Sequence, residues 1–133
     1  MTASSSGRPA ATWSVHELDR IAVARELEIA VRRADGTLRR WTPIWVVRAE
    51  DRVYVRSWYR RDTGWFGEAV RVRRARVRVP GLEVDVAIED VGEGSPALRE
   101  AVDAAYRRTY GAGAESMVAH PAAATTLRLD PRR

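Results

Sequence analysis

The sequence predicts a mainly β (α+β) fold in which a small antiparallel sheet or barrel packs against helices. Two observations predict it. Successive segments with strand periodicity are joined by short turns, and the strand–helix–strand alternation that builds a parallel sheet is missing. At 133 residues, the chain suits one domain with a real hydrophobic core. We expect residues 1–12 to form a disordered tail and residues 13–131 to form the domain.

Composition narrows the class of protein further. The absence of cysteine excludes disulfides, thiolate metal sites and thiol catalysis. No apolar run approaches the roughly 20 residues that a membrane-crossing helix needs, and the first residues lack the apolar core of a signal peptide. We therefore expect a cytoplasmic protein without membrane contact. All 23 basic residues are arginine, and the net charge of +5 fits either an anionic partner or simple solubility.

Local signals mark two main helices and a short one between them. Ser14 and Glu17 have the spacing of a capping box, which predicts a helix over residues 15–24. Ser95, followed by proline, is suited to begin a second helix, and Gly111 is suited to end it. A short helix is expected in between, because apolar residues have helical spacing over 65–72.

The first predicted hairpin contains an unusual apolar run. Residues 27–31 alternate as a half-buried strand does, and Asp35-Gly36 favours a type I′ turn. The return strand covers residues 38–48. Its four consecutive apolar residues, 44–47, predict a central strand covered on both faces. Pro43 inside it indicates a bulge or an unpaired edge position.

The remaining strands follow at residues 52–57, 75–79, 82–88 and 125–129. A two-residue loop at Pro80-Gly81 would place Arg78 opposite Glu83 and Arg76 opposite Asp85. A longer loop would change that register, and Pro-Gly suits a type II turn. We expect a loop before the last strand.

Two clusters of arginine and aromatic residues are candidates for binding. Four arginines flank the first turn, and their repulsion leaves two interpretations: a solvated tip, or a contact with phosphate or nucleic acid. The second cluster combines guanidinium and hydroxyl donors, which suit a phosphate, with flat rings that can cover a heterocycle. Core packing is the alternative for some of its rings, Trp65 above all. The first cluster is Arg32, Arg33, Arg39 and Arg40; the second is Tyr54, Arg56, Ser57, Trp58, Tyr59, Arg60, Arg61 and Trp65.

The sequence carries no signature of a known catalytic or metal site. It has no glycine-rich phosphate loop, nucleophile elbow or zinc-protease helix. The two histidines, His16 and His120, are expected to be ordinary surface or packing residues, so no metal site is predicted. A pair of catalytic carboxylates on the hairpin of Glu83 and Asp85 is an alternative that we set aside, since both have arginine partners.

Several segments resemble an uncharacterised bacterial family, domain of unknown function 2255, over residues 13–131. The resemblance is carried by Trp41-Thr42-Pro43-Ile44-Trp45-Val46-Val47, Val53-Tyr54-Val55-Arg56-Ser57, Gly64-Trp65-Phe66, Ala104-Ala105-Tyr106 through Tyr110-Gly111, and Thr125-Thr126-Leu127-Arg128-Leu129. That family is in turn similar to the FMN-binding split barrels, which include pyridoxamine-phosphate oxidase-like and deazaflavin-dependent reductase proteins.

The resemblance implies a six-stranded antiparallel split β-barrel that forms a homodimer and binds FMN or a deazaflavin at the subunit interface. In such relatives, two neighbouring strands line the cofactor, and basic and hydroxyl residues hold its phosphate. It also implies cofactor-binding residues in this chain, with arginine replacing the lysines common in such sites: Arg40, Thr42, Arg56, Ser57 and Trp65. Whether the protein is an oxidoreductase stays open at this point, and the sequence assigns no catalytic residue.

Two alternatives to a flavin-type cofactor remain. The same pocket would suit a non-catalytic small-molecule binder, for example of heme. The arginines near 32–40 and 71–78 would suit a nucleic-acid-binding module, which we favour least because Arg76 and Arg78 have acidic neighbours and no DNA-reading motif is present.

Overall fold

The computed structural model describes residues 12–24, 26–57, 64–92 and 94–132, and of His120 only the backbone. Most of the predicted tail, residues 1–11, lies outside the described residues. The elements, in chain order, are α1 (Val15–Val23), β1 (Leu27–Val31), β2 (Thr42–Ile44), β3 (Val47–Ala49), β4 (Arg52–Val55), α2 (Gly64–Val72), β5 (Arg74–Val79), β6 (Leu82–Gly92), α3 (Pro96–Tyr110), a 3₁₀ turn (Gly111–Ala114), α4 (Glu115–Val118), α5 (His120–Ala123) and β7 (Thr126–Pro131).

The strands form one antiparallel sheet that curls into a barrel. Their order is β2-β1-β5-β6-β7-β4-β3, so β2 and β3 are its two outer strands. In a flat sheet of seven strands these edges would be about 29 Å apart, since neighbouring strands lie about 4.8 Å from each other. Yet only two residues separate Ile44 from Val47, a span of at most about 11 Å. The sheet must therefore close on itself, which confirms the predicted antiparallel barrel and α+β class.

The apolar run from Ile44 to Val47 is where the barrel closes. We predicted one central strand here. That prediction is wrong, because β2 pairs with β1 and β3 pairs with β4, at opposite edges of the sheet. Counting β2 and β3 as one interrupted strand gives the predicted six. The edge position indicated by Pro43 is confirmed, since it lies in the outer strand β2.

The Tyr110 side chain of α3 binds the backbone where the chain passes from β2 to β3. The backbone N–H of Val46 donates to the Tyr110 hydroxyl at 2.9 Å, and that hydroxyl donates to the Val46 carbonyl at 2.8 Å. The Trp45 ring stacks on the Tyr110 ring, with centroids 4.1 Å apart and planes 4° from parallel. Both backbone polar groups of Val46, one of the two residues between β2 and β3, are thus satisfied without a neighbouring strand.

The predicted coverage of this run on both faces is confirmed. Ile44 and Val46 belong to the core inside the barrel, together with apolar residues of β1, β5, β6 and β7. Val47 belongs to a second core, which α3 and the following turns form against β3 and β4. Along β4 the same alternation holds, because Val53 and Val55 face the barrel interior while Tyr54 faces α3.

The first hairpin uses a different turn from the predicted type I′. Such a turn needs positive φ at both central residues, and of Asp35 and Gly36 only Gly36 has it, with φ 90°. The N–H of Gly36 donates to the Arg33 carbonyl, and the N–H of Arg33 donates to the Thr37 carbonyl. Asp35 instead accepts the N–H of Thr37 at 3.0 Å. The result is a three-residue loop whose last position requires glycine.

The register of the β5–β6 hairpin is confirmed. Arg78 lies opposite Glu83 and Arg76 opposite Asp85, across the two-residue Pro80-Gly81 turn. Hydrogen bonds from Arg76, and also from Arg32, which directly follows β1, outweigh partial burial and lower the pKa of Asp85 to about 2. The outer face of the sheet is therefore a ladder of ion pairs at neutral pH.

The helices begin and end close to the predicted positions. Ser14 and Glu17 form the capping box at α1, and Ser95 accepts from the Leu98 N–H at the start of α3. Our prediction of a loop after Gly111 is wrong. An alanine-rich stretch folds into short helical turns there, because alanine favours the helix. Within the described residues, no helix is long and apolar enough to cross a membrane.

We predict that Tyr110→Phe lowers the free energy of unfolding by about 1–3 kcal/mol, because it leaves the buried polar groups of Val46 unpaired. Tyr106→Phe is the matched control. Its hydroxyl is buried without a hydrogen-bond partner in the described structure, and burial raises its pKa. Urea denaturation should show a change of about 0.5 kcal/mol or less for the control. Equal losses in both variants would contradict the role of Tyr110.

Candidate functional site

Two clefts share the side chain of Trp65, at the start of α2. The larger, which we call the arginine cleft, has a volume of about 550 Å³, and the smaller, which we call the small cleft, about 260 Å³. The described residues lining the arginine cleft are Val31, Arg33, Arg39, Arg40, Thr42, Gly64, Trp65 and Glu68. Those lining the small cleft are Glu26, Pro43, Ile44, Trp45, Arg56, Ser57, Trp65, Ser116 and Met117.

The arginine cleft gathers three of the four arginines of the first hairpin. Arg33 donates to the Leu38 carbonyl at 2.8 Å, and Arg39 pairs with Glu68 of α2 at 3.0 Å. Arg40 is exposed, and no described carboxylate lies within salt-bridge distance of it. Arg32 points away, because strand alternation turns it to the outer face and to Asp85. The predicted crowding is thus relieved in part by carboxylates from α2 and β6.

One guanidinium nitrogen in this cleft lacks a partner. The Nε of Arg39 is buried and makes no hydrogen bond in the described structure. A buried N–H group without an acceptor costs about 1–3 kcal/mol. An oxygen-rich anion in the cleft would supply that acceptor, and the Thr42 hydroxyl lies on the same wall.

Trp65 divides the two clefts and is held in place. It packs against the barrel core, and its ring meets that of Phe66 edge to face, with centroids 5.6 Å apart. The predicted structural role and the predicted ligand role are therefore compatible, since the indole is partly buried and still borders both clefts.

Arg56 lies at the end of β4 and is completely buried. Its Nε donates to the Thr126 hydroxyl at 2.8 Å. Its Nη1 donates to Asp103 Oδ1 at 2.6 Å and to the Met117 carbonyl at 2.8 Å. The fourth partner is the Tyr106 ring, whose centroid is 5.5 Å from the guanidinium carbon. Its Nη2 has no hydrogen-bond partner in the described structure.

The other predicted site residues divide between packing and the clefts. Ser57 lines the small cleft, and its backbone N–H donates to the Thr125 hydroxyl at 2.9 Å. Tyr54 belongs to the second core and borders neither cleft. The predicted residues Trp58, Tyr59, Arg60 and Arg61 lie outside the described residues.

The predicted cofactor-binding residues thus lie in two clefts that share Trp65. Arg40 and Thr42 meet Trp65 in the arginine cleft, whereas Arg56 and Ser57 meet it in the small cleft. Trp45, Ser116 and Met117 also line the small cleft, although we did not predict them as site residues. Trp45 lies in the apolar run that we interpreted as a central strand, which gives no sign of a binding role. Ser116 and Met117 belong to helical turns in a segment that we predicted to be a loop. Within the described residues, no cluster of three potential metal ligands occurs.

We predict that Asp103→Ala destabilises the protein by about 3–5 kcal/mol, because it leaves the Arg56 guanidinium buried without its counter-charge. Asp19→Ala is the control. Asp19 is exposed and pairs with Arg48 at 3.3 Å, a surface contact worth about 1 kcal/mol or less. Denaturant unfolding measures both changes, and a loss below about 1 kcal/mol for Asp103→Ala would contradict the assigned importance of the buried pair.

Solved structures share this fold at low sequence identity. The heme storage protein HutZ from Vibrio cholerae aligns with a TM-score of 0.62 and 13% identity, over 86% of this chain and 87% of that chain. The conserved hypothetical protein Rv2991 from Mycobacterium tuberculosis aligns with a TM-score of 0.60 and 16% identity, over 95% and 85%. A FAD-binding protein from Mesorhizobium loti aligns with 0.56 and 16%, over 92% of both chains. At this identity the likeness shows the fold, which is the predicted split barrel.

No protein of curated function matches this sequence. One family model does, and it covers residues 17–129, close to the range over which we noted the resemblance. Since this match spans most of the chain, the predicted membership is confirmed. The chain belongs to the family described as uncharacterized protein conserved in bacteria, domain of unknown function 2255.

Proposed function

We propose that this protein binds a flavin-type cofactor, FMN or a deazaflavin, in the arginine cleft and along Trp65. The observation that carries the proposal is the convergence of Arg33, Arg39 and Arg40 on a cleft walled by an indole, with one buried guanidinium nitrogen left unpaired. The cleft volume of about 550 Å³ falls within the range of roughly 300–1,000 Å³ typical of small-molecule sites.

The residues fit the two ends of such a cofactor. Arg40 and Arg39 would hold the phosphate by charge-assisted hydrogen bonds, with the Thr42 hydroxyl as a further donor. Arg40 is suited to direct contact, because no described carboxylate competes for it. Trp65 would pack against the planar ring, which supplies hydride-transfer chemistry when bound.

Arg56 and Ser57 take a different part in this proposal from the one the resemblance implied. Arg56 already donates to Asp103, Thr126 and Met117, so a phosphate there would have to replace a buried ion pair. We therefore place both residues outside the cofactor site, in the small cleft on the other side of the Trp65 indole. The residues of the arginine cleft would orient the cofactor and exclude water from it, and no described side chain is needed as an acid or base.

The shared fold is compatible with a flavin-type cofactor and also with heme. A FAD-binding protein from Mesorhizobium loti has this fold, and so does the heme storage protein HutZ. Heme is therefore our second candidate, since its carboxylates would also suit the arginine cleft. We further propose an oxidoreductase activity, a homodimer and a cytoplasmic location, as the resemblance and the absence of cysteine led us to expect.

Nucleic-acid binding has weaker support. Three of the arginines predicted to contact nucleic acid pair instead with carboxylates on the outer face of the sheet. They are Arg32, Arg76 and Arg78. Each pair reduces the charge available to release counterions from a phosphate backbone. We expect no nucleic-acid complex.

We predict saturable binding of FMN or a deazaflavin at micromolar concentration in an absorbance titration. Arg40→Gln should weaken it about tenfold or more, because one charge-assisted phosphate contact is lost. Arg107→Gln, an exposed arginine in the last turn of α3, is the matched control and should change the affinity less than about twofold. Binding of hemin alone, or equal effects of the two substitutions, would contradict the proposal.

A further inference from the structure

The small cleft has a composition that the proposed cofactor site does not use. Two indoles, Trp45 and Trp65, border it together with the apolar side chains of Ile44 and Met117. Stacking on Tyr110 occupies one face of Trp45 and fixes its ring. The wall is therefore flat, aromatic and held in place before any ligand arrives.

The small cleft is also lined by the buried guanidinium of Arg56, which has one nitrogen without a hydrogen-bond acceptor in the described structure. Arg56 is 1% exposed, and three of its hydrogen bonds go to protein groups, whereas Nη2 has none in the described structure. Its counter-charge, Asp103, is shared with Arg99 at 3.5 Å. An anionic oxygen beside Nη2 would gain a charge-assisted hydrogen bond that Arg56 does not otherwise make.

The size and rim of the cleft restrict the ligand. About 260 Å³ is less than half the volume of the arginine cleft and suits a single ring with one acidic group. Glu26 lies at the exposed rim, where solvent screens its charge, and Ser116 on α4 is exposed beside it.

We propose that the small cleft binds a small planar carboxylate of about the size of benzoate. One carboxylate oxygen accepts a hydrogen bond from Arg56 Nη2, and the ring lies against the indoles. The site stands on its own residues. It does not depend on the proposed function, because the indole of Trp65 lies between this cleft and the proposed cofactor.

Benzoate itself is the probe, and isothermal titration of the full-length protein is the measurement. We expect saturable binding with a dissociation constant of about 1 mM or lower. Benzyl alcohol keeps the ring but lacks the charge, and cyclohexanecarboxylate keeps the charge but is not planar. Both should bind at least about tenfold more weakly, because each lacks one of the two contacts.

A matched pair of variants tests the location without disturbing the buried ion pair. Ser116→Phe places a ring at the mouth of the cleft and should weaken benzoate binding at least about tenfold. Ala119→Phe introduces the same side chain at an exposed position three residues later that does not line the cleft. It should change the affinity less than about twofold. Circular dichroism of both variants checks that they fold.

The outcomes separate this inference from the proposed function. No saturation by benzoate, or equal effects of the two phenylalanine variants, would overturn the inference even if FMN binds. Benzoate binding that Ser116→Phe abolishes, in a protein that binds no flavin, would support the inference and overturn the proposed function alone. Binding of both ligands, each to its own cleft, supports both.

Discussion

The Tyr110 hydroxyl is the contact on which the architecture depends. It accepts from the Val46 N–H and donates to the Val46 carbonyl, directly before β3 begins. A β-strand normally satisfies these groups with its neighbours, and the chain could not otherwise leave one edge of the sheet and join the other. The helix α3 thus allows one apolar segment to serve both edges of a closed sheet. The stacked Trp45 ring covers the same place and excludes water from it.

The same closure creates the candidate site. Because β2 ends where the segment turns away, Thr42 borders the arginine cleft while Ile44 and Trp45 border the small cleft. Trp65, from the helix that follows β4, borders both. On the side of α3, Asp103, Met117 and Thr126 surround the guanidinium of Arg56 at the end of β4. The clefts are therefore consequences of how the barrel is interrupted, and substitutions at Tyr110 should affect the shape of both.

Signals from neighbouring residues predicted most helices and strands correctly. Features that depend on contacts between distant parts of the chain could not be predicted from the sequence. The capping box of Ser14 and Glu17 and the register across Pro80-Gly81 depend on neighbours in the sequence, and both are confirmed. The break between β2 and β3 depends on a residue 64 positions away, so the apolar run alone indicated one strand. For the site, the family resemblance marked Arg40, Thr42 and Trp65, and all three border the arginine cleft. The buried ion pair between Arg56 and Asp103 could not be predicted, because the hydrogen-bond partners of Arg56 lie on three distant elements: α3, α4 and the start of β7.

The central functional claim is that the hollow around Trp65 holds a flavin-type cofactor. Native mass spectrometry of freshly purified protein tests it most directly, since it reports the mass of any retained ligand together with the number of subunits. We expect one FMN or deazaflavin per subunit, released on denaturation. Subunits that carry heme, or that stay without ligand even after incubation with excess FMN and deazaflavin, would contradict it.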